Sequence, residues 1–93
     1  MATVTIIQPD GTTTLTERDP SDRPSLKELQ EAVGGYIEPV DAMMDDGTVA
    51  YANEEGLLMG MQPNPKGTRE VKWPYPIVGP VVILRGFDDD EED

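Results

Sequence analysis

An α+β domain, with one main helix packed on a mostly antiparallel sheet in the order ββαβββ, follows from three features of this chain. Ser25 to Val33 carries a short amphipathic helical pattern, closed by two glycines. Pro9-Asp10-Gly11 and Asp45-Asp46-Gly47 are turn signals set between strand-forming runs. Val81-Val82-Ile83-Leu84 is an unbroken apolar run of strand length. Residues 1–87 read as a single domain, and 88–93 as a disordered acidic tail.

Thr3 to Gln8 is rich in β-branched residues and forms the first strand. Proline fixes φ in the Pro9-Asp10-Gly11 turn and glycine takes the positive-φ site, so Thr12 to Thr16 returns antiparallel. Glu17 to Pro24 is a polar connector. Ser25 with Glu28 three residues later has the spacing of a capping box, in which hydroxyl and carboxylate each satisfy an orphan backbone N–H. Leu26, Leu29 and Val33 recur at i, i+3 and i+7 and predict one buried face. Gly34 supplies the left-handed stop, and Gly35 frees the reversal into a strand at Tyr36 to Val40. Asp-Gly at 46–47 then turns the chain into Thr48 to Asn53. Leu57 to Met61 is apolar but too short to assign to helix or strand. Gln62 to Glu70 reads as an open loop, and the two prolines of Trp73-Pro74-Tyr75-Pro76 exclude a regular central strand there. The final element, Ile77 to Leu84, predicts a strand covered on both faces. Met43, Met44, Met59 and Met61 read as gap-fillers in a small core, with an adaptable binding surface as the other reading.

The chain of 93 residues has no cysteine and no histidine, and carries a formal charge of −12. Disulfides and zinc sites of the usual ligand types are thereby excluded. No apolar run approaches the ~20 residues of a membrane span, and the N-terminus lacks the pattern of a secretory signal. A soluble cytoplasmic protein is expected. Asp88 to Asp93 are all acidic, half of the net charge. Such a run stays extended and keeps nucleic acid and membranes away while attracting basic partners. Direct nucleic-acid binding and membrane association are not expected.

Three segments together, LQEAVGGYIEPV, AYANEEGLLMGMQPNP and IVGPVVILRG, resemble the family known as domain of unknown function 3846. The resemblance runs from about Ser25 to Gly86, and the acidic tail lies outside it. It implies an origin in phages, plasmids and other mobile elements, in a host cell whose machinery such accessory proteins act upon. It brings no activity, cofactor or catalytic residue with it.

Enzymatic chemistry is not expected. Without His or Cys the commonest general base and the best side-chain nucleophile are missing. Ser21 and Ser25 lie in a connector and a cap, and no phosphate-binding glycine motif is present. Glu38, Glu54 and Glu55 are the carboxylates left to consider, Glu38 reading as a solvent-facing strand residue. Asp41, Asp45, Asp46 and Gly47 miss the spacing of a calcium loop, so no metal and no cofactor is predicted. Two clusters remain as candidate binding sites. Asn53, Glu54 and Glu55, with Gly56, end a strand; they form either a partner or ligand site or a turn with a left-handed Asn and solvated glutamates. Lys66, Arg69 and Lys72 stand beside Trp73 and Tyr75, where cations and aromatics could hold a nucleotide-like anion; in the alternative Trp73 covers the core edge. The expectation is an accessory protein docking on a host protein, basic or nucleic-acid-binding, through acidic surface. A small-ligand binder using residues 66–73 is the alternative. Pairing with a second copy through an exposed edge strand, Thr3–Gln8 or Ile77–Leu84, is a further expectation.

Overall fold

The computed structural model describes residues 1–45 and 47–88. Among these residues five strands, β1 (Ala2–Ile7), β2 (Thr13–Arg18), β3 (Ile37–Pro39), β4 (Val49–Asn53) and β5 (Val81–Arg85), form one sheet in the order β2-β1-β5-β4-β3. Every pairing is antiparallel. Two helices among the described residues, α1 (Leu26–Val33) and α2 (Pro65–Val71), make the fold α+β.

The last strand in sequence is the middle strand in space, and its composition explains why. Val81, Val82, Ile83 and Leu84 are all buried, because alternate residues face two different clusters. Val82 and Leu84 pack with Leu29 and Val33 of α1. Val81 and Ile83 pack with Ile7, Val71 and Ile77 on the opposite face. A strand apolar on both sides needs cover on both sides, as its unbroken pattern predicts. The strand is shorter than expected, however. Ile77 and Val78 lie outside it, and Val78 makes only an isolated bridge to Pro63. Gly79, at φ +88°, bends the chain between them.

The first hairpin closes as its turn residues dictate. Gln8 N–H donates to Thr12 O at 2.8 Å, Gly11 N–H donates to Gln8 O at 2.9 Å, and Gly11 takes φ +93°. This is the three-residue hairpin loop with a left-handed glycine. The expected edge strands are corrected: Thr3–Gln8 and the last element both lie inside the sheet. The edges are β2 and β3, because the chain adds the hairpin partner of β1 on one side and β3–β4 on the other.

Helix α1 carries the full capping box. Glu28 N–H donates to Ser25 Oγ at 3.1 Å and Ser25 N–H to Glu28 Oε1 at 2.8 Å. Gly34, at φ +84°, ends the helix, and its N–H and that of Gly35 both reach Gln30 O. Leu29 and Val33 are buried, but Leu26 is 59% exposed. The predicted stripe therefore buries only its last two members.

The open loop expected at 62–70 is instead the approach to α2 and most of that helix. Asn64 is its N-cap, accepting Gly67 N–H on Oδ1 at 2.9 Å, and Pro65 occupies the first helical position, where its missing N–H costs nothing. Lys66, Gly67 and Thr68 are ordinary or poor helix formers. Long-range bonds hold the turn nonetheless: Asn64 Nδ2 donates to Ile7 O at 2.8 Å and to Gly79 O at 2.9 Å. Asn64 is 1% exposed, so these bonds form away from competing water. The acidic tail, read as 88–93, lies outside the described residues except for Asp88. That residue is tied down: its N–H donates to Pro20 O at 3.0 Å and its carbonyl accepts Arg23 Nη1 at 3.2 Å.

Candidate functional site

Residues 54–60 form a run of consecutive turns between β4 and the approach to α2. Met59 N–H donates to Glu55 O, Gly60 N–H to Leu57 O and Met61 N–H to Gly56 O, at 2.9–3.1 Å. The apolar segment Leu57–Met61 is thus a compact turn. Its two leucines are not buried: Leu57 is 79% exposed and Leu58 86%.

The base of this turn is firmly fixed. Asn53 is buried; its Nδ2 donates to Val33 O at 3.0 Å and its Oδ1 accepts Glu55 N–H at 2.7 Å. Asn53 therefore ties the end of α1 to the turn with a backbone outside the left-handed region. Its polar atoms are engaged in the scaffold. Glu54 N–H donates to Tyr36 O at 2.8 Å, continuing the β3–β4 ladder, while the Glu54 and Glu55 side chains are exposed. Gly56 fits beneath Val78, where a Cβ would lie 2.8 Å from the carbonyl oxygen. Met61 fills the space next to it, with Sδ or Cε at 2.6–3.6 Å from where a Cβ would stand on Gly79, Gly34 or Gly56. Of the four methionines read as gap-fillers, Met61 and Met44 reach inward, and Met43 and Met59 are exposed.

Asn53, Glu54 and Trp73 line one shallow depression of about 190 Å³, together with Glu38 and Leu57. Members of the two sequence clusters thus line one hollow, and the cations Lys66, Arg69 and Lys72 do not. Trp73 is half-buried against the core, as its packing alternative has it. Arg69 lines a separate apolar slot of about 310 Å³ with Pro63, Pro65 and Pro76. Lys66 Nζ reaches Gly11 O at 3.5 Å, and Lys72, at φ +57°, caps α2 in the exposed left-handed position. Glu55 and Lys72 line neither hollow. Glu38 is exposed on β3. Asp41 Oδ2 accepts Ala50 N–H at 3.1 Å, a structural bond. Among the described residues no three acidic side chains converge as a metal site, and no helix is long and apolar enough to cross a membrane.

The sequence reading missed Leu57 and Leu58 as surface features and Asn64 as a scaffold residue. The signal for the first was available: an apolar dipeptide bracketed by Gly56 and Gly60 is short enough to be a turn tip. The Asn64-Pro65 pair was likewise a helix-start signal of the N-cap and N1 kind.

No curated protein and no solved structure matches the chain. A family model does, over residues 1–93, well beyond the Ser25–Gly86 segment whose motifs suggested it and including the acidic tail. The chain belongs to the family described as domain of unknown function (DUF3846).

Proposed function

We propose that this chain is a non-enzymatic accessory protein of mobile-element origin that docks on a host protein in the cytoplasm. The 54–58 turn is its contact tip. The observation that carries this reading is the pair Leu57 and Leu58, held almost fully in solvent on a turn anchored by Asn53, Gly56 and Met61. Adjacent exposed apolar side chains on a fixed backbone lose little entropy when they enter a partner's pocket. Glu54 and Glu55 flank them, and the chain carries −12 overall. The complementary partner is a protein with an apolar pocket rimmed by Lys and Arg, such as a nucleic-acid-binding surface whose ligand the carboxylates would replace.

The nucleotide alternative is less well supported. The hollow that Trp73 lines has Glu38 and Glu54 on its rim, and carboxylates there repel an anionic ligand.

Affinity capture from host lysate with the unaltered chain, a Leu57→Ser/Leu58→Ser variant and a Glu54→Gln/Glu55→Gln variant tests the proposal. One host protein should be retained by the unaltered chain and lost with the leucine variant, and retained more weakly with the glutamine variant. Both variants should unfold at the unaltered midpoint. Retention indifferent to all four substitutions would remove the turn from the interface, and no retained protein at low or moderate salt would remove the reading itself.

A further inference from the structure

The two edges of the sheet are built very differently. β3 has three residues, one of them Pro39, which lacks an N–H and blunts the edge. β2 has six residues, without proline, lysine or bulge, and among the described residues no strand pairs with its outer side. Thr13 to Glu17 are all exposed, Leu15 to 62%.

The hairpin geometry says which backbone groups face outward. Gln8 and Thr12 form a hydrogen-bonded pair, and the register continues through Ile6↔Thr14 and Val4↔Thr16. Hydrogen-bonded pairs alternate along an antiparallel ladder, so Thr14 and Thr16 turn their N–H and C=O groups inward to β1. Thr13, Leu15 and Glu17 turn theirs outward, unpaired.

We propose that β2 pairs antiparallel with β2 of a second copy of this chain, about a two-fold axis through Leu15, joining the two sheets into one. The side chains select this register. With Leu15 opposite Leu15, Thr13 faces Glu17 and Thr14 faces Thr16, and all three outward residues of each chain find partners. Thr–Thr pairs are favourable across strands, Leu15 meets an apolar partner, and no like charges stand directly opposite, which would be destabilising. Axes through Glu17 or Arg18 would oppose like charges directly, and an axis through Thr14 would bring the Gly11 turn against Glu17. The net charge of −12 on each copy opposes association, so the dimer tightens as salt screens it. A partner attracted by the acidic surface would weaken with salt instead, which separates this interface from the 54–58 turn.

Sedimentation of the intact chain across concentration and salt reads the association. A monomer–dimer equilibrium, shifted several-fold toward dimer from low to physiological salt, is expected. Leu15→Pro removes an outward N–H and no intrachain bond, and should leave a folded monomer. Single-cysteine variants then test the register independently, since the natural chain has no cysteine. Leu15→Cys should oxidise readily to a disulfide dimer, its two Cα atoms ~5.5 Å apart. Thr13→Cys should not, because its two copies would stand about 14 Å apart along the ladder. A monomer under all conditions, equal cross-linking at both positions, or a dimer abolished by Leu57→Ser/Leu58→Ser would each overturn the proposal.

Discussion

Asn64 shows how one side chain can decide a local structure. Its oxygen caps α2, and its nitrogen holds the backbone carbonyls of Ile7 and Gly79, at the ends of two different segments. Asn64→Asp keeps the capping acceptor but turns a carboxylate toward those carbonyls. Asn64→Ala removes both functions, losing a cap worth ~1 kcal/mol and leaving buried acceptors unpaired at ~1–3 kcal/mol. Urea unfolding should show both variants destabilised, Asn64→Ala by about 3 kcal/mol. Gly67, one turn later, makes a sharper test because two effects oppose. Alanine is a better helix former by ~1 kcal/mol. Yet a Cβ here would lie 2.7 Å from Val81 Cγ2 and 3.0 Å from Asn64 Cγ, and overpacking of a dense core costs ~1–3 kcal/mol. Gly67→Ala should therefore lower the midpoint, and Val81→Ala in the same chain should recover part of the clash term. A simple gain from Gly67→Ala would mean that the helix stands further from β5 than these distances show.

At the scale of elements, α1 is joined to the hairpin through one carboxylate with two roles. Glu28 caps its own helix and accepts Arg18 Nη1, from the end of β2, at 3.0 Å, while Arg18 also reaches Asp22 at 3.0 Å. The Arg18 hydrogen bond, then the Ser25 N–H, holds the Glu28 carboxyl below its ordinary value of 4.5. A depressed carboxylate contributes stability that is fully present above its unfolded value and is lost as pH falls through the folded one. Glu28→Gln should consequently unfold earlier than the natural chain at every pH above about 5, with the gap closing as pH falls below 4.5 in paired thermal melts. A gap constant down to the acid limit would mean that the charge of the Glu28 carboxylate contributes nothing to it. This helix was legible in the sequence because its determinants are local: Ser25, Glu28 and Gly34 act within one turn of where they stand. So was β5, whose two-sided apolar pattern needs no knowledge of what covers it. For α2 the sequence held only a start signal, Asn64-Pro65, because what stabilises the helix is long-range. Nothing in Lys66-Gly67-Thr68 indicates that Asn64 reaches carbonyls 57 and 15 residues away. The candidate turn was half legible for a similar reason: Glu54 and Glu55 were visible as surface charge, but the exposure of Leu57 and Leu58 depends on Met61 filling the space among Gly34, Gly56 and Gly79 in their place.

At the scale of the whole molecule, charge acts through where the chain directs it. Asp88 is bonded to Pro20 and Arg23, only just past the end of β2, so the chain continues from beside the free sheet edge. Residues 89–93 are all acidic. Ending the chain after Asp88 keeps those bonds and takes the formal charge from −12 to −7. Exposed charges contribute little to folding, so the thermal midpoint should move by no more than about 1 kcal/mol equivalent. Self-association should respond much more. With the axis through Leu15, the two Pro20 positions to which the Asp88 ends are tied stand ~34 Å apart along the ladder. The acidic ends therefore oppose association through the net charge of each copy, a repulsion that carries furthest at low salt, where the Debye length is ~30 Å at 0.01 M. Sedimentation should then find the shortened chain dimerising several-fold more tightly at low salt. The difference should narrow toward higher salt, as the Debye length falls to ~3 Å at 1 M. A shortened chain that associates like the intact one at every ionic strength would mean that these charges do not oppose pairing at β2, and one that melts markedly lower would give them a part in the fold.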